Sequence, residues 1–374
     1  MSFKVLQLVD GVGWGGTKEQ VFLTTRELAL KGIDIGIAIA FQYQQMEEKL
    51  KPYPVKIHKF EDHKGSKSRF NPLNWWRLKR VIETFDYDIV IANSPHAMDM
   101  LRFTLPFLRK RIKIISVRRS GRIPSLFSRW FKYGVSDRIV VVSKPVFETL
   151  KEHNFFPSKL VYIPSGIDLK RFFPNRENQK ELRKKLNLPF EGKIFINVAN
   201  WNPKVKGQLL LLDAFKEFLT KSGCPNCFLL LVGHDTNSEE AKREISKRGL
   251  SGKVFGLGFR EDVPDLLNAS DYFVLSSYLE GIAGALLQAM ATKMVVISTS
   301  AGGISEYLHN EVNGFLVPIG DKNALALAME KALKLSPHEY EKIATNAWKT
   351  AQNFSIERTA DKYIQLFEEL ISNP

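Results

Sequence analysis

The chain has no run of about 18 or more apolar residues, so hydropathy gives it no membrane-spanning helix. It has only two cysteines. Disulfides therefore do not organise the fold, and a cytoplasmic address is expected. The opening Met1-Ser2-Phe3-Lys4-Val5 runs straight into a strand-like stretch, without the layout of a signal peptide. No Asp-x-Asp tract stands at the carboxyl end of a strand, where such a pair would be placed to chelate a metal. Short-period repeats and low-complexity tracts are missing too. What remains is an ordinary globular composition over 374 residues, enough for two domains.

Acidic residues are scarce in one half only. Residues 1–163 carry 28 Lys/Arg and 15 Asp/Glu, an excess of +13, whereas residues 164–374 carry 26 and 25, an excess of +1. A basic half calls for an acidic partner: a membrane surface, an anionic substrate or nucleic acid. Three of its segments mix aromatic and basic residues: "SRFNPLNWWRLKR" (68–80), "LRFTLPFLRKRIK" (101–113) and "RIPSLFSRWFKYG" (122–134). Amphipathic helices with aromatic sides in the core would explain the rings. They would not explain charge confined to one half, which suits an anionic lipid surface. No nucleic-acid-binding motif is present.

Apolar runs alternate with helical patterns. The strand-like runs of the first half are 4–9, 33–40, 55–59, 89–92, 112–117, 138–142 and 160–163. A first helix over 17–31 would bury Val21, Leu28 and Leu30. The pattern restarts at 194–198 and continues at 228–232, 254–256, 272–275, 295–298 and 315–317. This alternation predicts an α/β fold of two doubly wound, Rossmann-like domains facing across a cleft. The expected boundaries are 1–167 for the first domain, 168–191 for a polar linker with a short helix, and 192–355 for the second domain. An amphipathic helix over 356–374 is expected to return to the first domain.

Near the N-terminus, Gly11, Gly13 and Gly16 spell G-x-G-x-x-G between a strand and a helix. A dinucleotide site also needs an acidic residue at the end of the second strand. Here that strand runs into Phe41-Gln42-Tyr43-Gln44, with no Asp or Glu. Nicotinamide and flavin roles are therefore set aside. Gly15 and Gly16 still let backbone amides approach an anion at a helix start. A tight structural turn would use the same residues.

The strings "GGTKEQV", "VYIPSGIDLKRFFP", "NVANWNPKVKGQ", "LLLVGHD", "GLGFRED", "YLEGIAGALLQAM" and "AGGISEYLHNEVNGFLV" occur in order. Together they resemble the family-four retaining glycosyltransferases of the GT-B fold. The resemblance spans nearly the whole chain and is most specific from Val254 to Val317. It implies an enzyme that moves a sugar from a nucleotide-diphosphate donor, with retention, onto a glycan or lipid-linked acceptor of lipopolysaccharide-core or glycolipid type.

The family's two glutamates, separated by seven residues, correspond to Glu280 and Gln288. By resemblance Glu280 holds donor-sugar hydroxyls, and Gln288 sits where the family grips the ribose, without the charge. Gly281 and Ile282 lie in the intervening loop. A helix beginning near Ile282 would aim the amides of Ala283, Gly284 and Ala285 at a diphosphate. The family's diphosphate-binding Lys matches Lys206, but its Arg falls on Asn200. Lys204 and Arg260 are the two alternatives for the missing charge. Phe259 and Arg260 correspond to a base-reading loop, and His96, in "ANSPHAMD", to a histidine near the donor sugar.

Lysines, amides and a helix terminus would neutralise the diphosphate, so no metal or other cofactor is expected. The leaving phosphate would help accept the acceptor's proton, and no general base is nominated. Cys224 and Cys227 form a C-x-x-C placed after a helix and before a strand, and are read as structural rather than redox or zinc-binding. The expected location is cytoplasmic, peripheral on the inner face of the membrane. A sugar-nucleotide epimerase of the same architecture and a basic nucleic-acid-binding module are the rival readings.

Overall fold

A computed structural model describes residues 3–119 and 123–372. Arg122, at the start of the third aromatic–basic segment, lies outside the described residues. The chain divides into two units, Met1–Gly166 with Ile356–Pro374, and Ile167–Ser355.

In the first unit seven parallel strands form one sheet: β1 (Lys4–Leu8), β2 (Asp34–Ala40), β3 (Lys56–Glu61), β4 (Ile89–Ala92), β5 (Lys113–Arg118), β6 (Arg138–Val141) and β7 (Leu160–Tyr162). Their order is β3-β2-β1-β4-β5-β6-β7. The inner strands are largely apolar because helices cover both faces, while the edge strand β3 is mixed, with Lys56 and Lys59 exposed. Leu6, Leu8, Phe60 and Val90 pack to one side, Val5, Ile89, Ile115 and Val140 to the other. Each fully buried side chain of this size stabilises the fold by about 1.5–3 kcal/mol. In the first helix, Gly16–Leu30, Val21 and Leu28 are buried, but Leu30 is exposed. Residues 21 and 28 lie two turns apart on one side, whereas residue 30 is rotated away from them.

The last helix, Ile356–Ser372, does pack into the first unit. Its Tyr363, Leu366, Phe367 and Leu370 join the layer containing Phe3 and Val5. Lys31 Nζ lies 2.8 Å from Asp361 Oδ1.

The second unit repeats the plan with six parallel strands: β8 (Lys193–Val198), β9 (Cys227–Val232), β10 (Val254–Gly256), β11 (Tyr272–Leu275), β12 (Val295–Thr299) and β13 (Phe315–Val317). Their order is β10-β9-β8-β11-β12-β13. Residues 168–191, expected as a linker, instead pack into this unit. Phe172 joins its core. The Arg183 guanidinium donates to Asp271 Oδ2 at 2.6 Å and to the Ala269 carbonyl at 2.9 Å. The polar composition that suggested a linker includes this buried ion pair.

Cys224 and Cys227 are joined as a disulfide, closing only the short turn before β9. Among the described residues no helix is long and apolar enough to cross a membrane.

Each sheet reverses its strand order once, between β1 and β4 and between β8 and β11. The carboxyl ends of strands at such a reversal are where doubly wound folds place ligands.

Candidate functional site

In the second unit, β8 leads through Asn200 into a helical turn, Pro203–Lys206, and then to Gly207. Gly207 has φ +65°, and a Cβ there would fall 2.1 Å from the Ser276 carbonyl oxygen. Only glycine meets both demands. Ser276 Oγ donates to the carbonyls of Lys206 and Gly207 at 3.0 Å each, and Tyr278 N donates to the Val205 carbonyl at 2.8 Å. The turn carrying Lys206 is thus fastened to the loop that follows β11.

That fastening brings two of the expected residues together. Lys206 Nζ donates to Glu280 Oε1 at 2.7 Å, and Ser277 Oγ donates to the same oxygen at 2.6 Å. The Glu280 side chain is only 9% exposed. A carboxylate this enclosed is not a solvated loop residue. Its loop is held from behind as well: Thr299 Oγ1 donates to the Ser277 carbonyl at 2.7 Å, and Gly303 N to the Gly281 carbonyl at 2.9 Å. Gly302 has φ +57°, and a Cβ there would lie 1.9 Å from the Glu280 carbonyl oxygen. The buried Tyr307 hydroxyl donates to the Ile282 carbonyl at 2.7 Å. Burial, then the charge of Glu280, holds that phenol well above its ordinary pKa, so it stays a donor.

The following helix spans Gly284–Ala291, two residues later than expected, because Ile282 and Ala283 are drawn into the core. Ala283 takes a left-handed conformation, φ 48°, ψ 68°. For a residue with a Cβ this costs roughly 1–3 kcal/mol, a strain found most often at functional sites. Leu286 N makes a bond back to the Ala283 carbonyl at 3.0 Å. The amides of Gly284 and Ala285 precede it, in the part of a helix that has no internal acceptor. Gly284, Ala285 and Gln288 are the half-exposed residues of this helix's first turns, on one face, while Leu286, Leu287 and Ala289 are buried.

The remaining expected residues sort differently. Lys204 is exposed on the same turn as Lys206. Arg260 is engaged by Asp262, Nε to Oδ1 at 2.8 Å, which raises the guanidinium pKa and lowers that of the carboxyl. Asn200 Oδ1 accepts from His234 N at 3.1 Å. Its amide therefore supports the loop after β9. His234 in turn stacks on Phe259, centroids 4.5 Å apart and planes 13° apart, and Phe259 is 40% exposed. The result is an open aromatic platform.

In the first unit a separate polar cluster lies at the reversal between β1 and β4. Ser94 Oγ donates to Asp10 Oδ1, and His96 Nδ1 lies 3.5 Å from Asp10 Oδ2. The Lys18 ammonium donates to the Asp10 carbonyl. Burial pushes the Lys18 pKa down, against the pull of Asp10 and Glu61. Glu61 accepts from Gly11 N at 2.9 Å and from His63 Nδ1 at 2.7 Å. Gly15 is the extended N-cap of the first helix, and open space lies where a Cβ of Gly15 or Gly16 would project.

Two family models cover most of the sequence. Residues 14–171 match the glycosyltransferase family 4 model, and residues 178–350 match the glycosyl transferases group 1 model. The chain belongs to this glycosyltransferase family. The putative glycosyltransferase EpsD of Bacillus subtilis is 26% identical over 317 residues, 80% of this chain and 82% of that one. An N,N'-diacetylbacillosaminyl-diphospho-undecaprenol α-1,3-N-acetylgalactosaminyltransferase of Campylobacter jejuni is 27% identical over 370 residues, covering 92% and 94%. The crystal structure of Anabaena Alr3699/HepE in complex with UDP and glucose superposes with a TM-score of 0.84 at 20% identity, covering 98% and 100%. The glycosyltransferase therefore has the GT-B fold, with two Rossmann-like units.

Asp10, Glu61, Lys18, His234, Thr299 and Tyr307 were not singled out by sequence. Asp10 carries a usable signal, a carboxylate placed directly after a parallel strand. The others owe their positions to tertiary packing.

Proposed function

We propose that this glycosyltransferase moves a sugar from a nucleotide-diphosphate donor, with retention, onto a glycan or lipid-linked acceptor at a membrane surface. The observation carrying this reading is the Lys206–Glu280 pair beside the open first turn of helix Gly284–Ala291. Lysine and helix amides suit a pyrophosphate, and an enclosed carboxylate suits sugar hydroxyls.

In this reading Lys206, the amides of Gly284 and Ala285, and Lys204 on the neighbouring turn oppose the charge that develops on the leaving diphosphate. Lys204 rather than Arg260 takes the place of the missing arginine, since Asp262 already engages Arg260. Glu280 orients the donor sugar, Gln288 meets the ribose through hydrogen bonds alone, and the His234–Phe259 platform stacks on the base. Transfer needs no metal, and chelation leaves it intact. The UDP and glucose named for the Anabaena neighbour support such a donor.

The first unit meets the acceptor. Asp10, Lys18 and the Gly15–Gly16 turn supply charge and amides at its strand ends, and His96 keeps the donor-sugar role that the resemblance implies. The undecaprenyl diphosphate named for the Campylobacter relative supports a lipid-linked acceptor, as lipopolysaccharide-core or glycolipid precursors would be.

The test is incubation with UDP-, GDP- and ADP-sugars and short-chain lipid diphosphate acceptors, followed by NMR of the product anomer. A product with the donor's configuration supports the reading; an inverted product overturns it. Donor isomerised in the absence of acceptor would favour the epimerase alternative.

A further inference from the structure

The three aromatic–basic segments meet on one surface of the first unit. Trp75 stacks on Phe103 with centroids 4.8 Å apart; Phe103 also touches Phe70 at 5.9 Å and Phe131 at 5.5 Å, and Phe131 stacks on Phe127 at 5.4 Å. One continuous aromatic seam therefore joins elements far apart in sequence.

Core packing explains the inner rings of this seam. It does not explain its outer edge. Leu126 is 73% exposed, Phe127 77% and Trp130 65%. Spacings of three and four residues put these side chains on one face of a helical turn. Phe70 and Trp76 are also more than half exposed. Soluble surfaces scatter single apolar residues, whereas a connected patch marks an interaction site.

The surroundings are basic. Residues 67–84, 95–113 and 123–133 carry twelve Lys/Arg against two acidic residues, Glu83 and Asp99. Both acids are already engaged: Asp99 lies 2.9 Å from Lys132 Nζ, and Glu83 lies 2.7 Å from Lys79 Nζ. The Arg80 guanidinium lies over the Trp76 ring at 4.9 Å, and that of Arg69 over Phe70 at 4.9 Å. Amphipathic tips of this kind bury their rings at the headgroup level while the cations meet lipid phosphates.

We propose that this patch is a membrane-docking surface that inserts Leu126, Phe127 and Trp130 into the interface of an anionic bilayer. The occupant follows from charge complementarity, and from the exposed Leu126, Phe127 and Trp130 on one face beside Lys/Arg, the side-chain mix of a helix that lies in a membrane interface. The inference deepens the proposed function, whose lipid-linked acceptor resides in such a bilayer.

The test is sedimentation of the full chain with phosphatidylglycerol/phosphatidylcholine vesicles and with pure phosphatidylcholine vesicles. Preferential binding to the anionic vesicles, weakened by salt, is expected. Phe127→Ser combined with Trp130→Ser should lower partitioning at least about tenfold, and Arg80→Ala about fivefold. These variants should retain transfer to a water-soluble acceptor. Glu280→Gln should sediment like the parent, so failure of the catalytic reading and failure of docking are told apart. No binding to anionic vesicles, or variants that sediment like the parent, would overturn the proposal. So would the same substitutions abolishing self-association or oligonucleotide binding without changing vesicle binding.

Discussion

Lys206 Nζ and Glu280 Oε1 stand 2.7 Å apart, on two loops that follow neighbouring strands of the second unit. The cation assigned to the diphosphate and the carboxylate assigned to the sugar are one hydrogen-bonded pair. Changing either one alters the charge environment of the other.

Coupling of this kind is measurable. Lys206→Ala and Glu280→Gln should each lower kcat/KM by roughly 10²–10³-fold. The double variant should lose less than the product of the two losses. A double-mutant cycle on donor turnover checks this, with circular dichroism confirming that the fold is retained.

Gly302→Ala should damage the site from behind. The added Cβ would meet the Glu280 carbonyl oxygen at 1.9 Å, in a backbone conformation with φ +57°. A loss of roughly 1–3 kcal/mol in unfolding free energy is expected, with a raised KM for the donor as the loop shifts. Denaturant melts and initial rates test the two parts separately.

Phe259→Ala should weaken nucleotide binding by about tenfold, as loss of one base–aromatic stack typically does, while leaving stability nearly unchanged. The ring is partly exposed and stacked on His234. Competition by free nucleoside diphosphate reads this directly.

Acid should destabilise the first unit through His58. This buried imidazole lies 2.6 Å from the Tyr87 hydroxyl, and burial, then Lys56, lowers its pKa to about 4. The unfolded chain takes up the proton near pH 6.5, so it binds more protons than the folded chain between about pH 6.5 and 4. Stability therefore falls as pH drops through that window, by up to about 3 kcal/mol. His58→Gln should flatten this part of the Tm–pH curve.

The sheets were legible because most strands are short apolar runs bounded by polar turns; β3, Lys56–Glu61, is the exception, with Ile57 and Phe60 set among Lys56, His58, Lys59 and Glu61 at the sheet edge. Lys206, Glu280 and the helix after Ile282 were legible as motifs. The start of that helix was not, since nothing local shows that Ile282 and Ala283 prefer the core to a first turn. Residues 168–191 misled because Arg183 finds its partner, Asp271, 88 residues later. Leu30 fitted a run of apolar residues but not the turn of the helix. Tyr307 and Thr299 support the Glu280 loop through contacts made only once β11 and β12 lie side by side.

The most direct measurement is titration calorimetry of UDP-, GDP- and ADP-sugars into the parent chain and Lys206→Ala. Saturable one-site binding of at least one donor is expected, weakened tenfold or more by the substitution. A parent chain that binds none of them, or a Lys206→Ala chain that binds the same donor as tightly, would contradict a diphosphate site at Lys206.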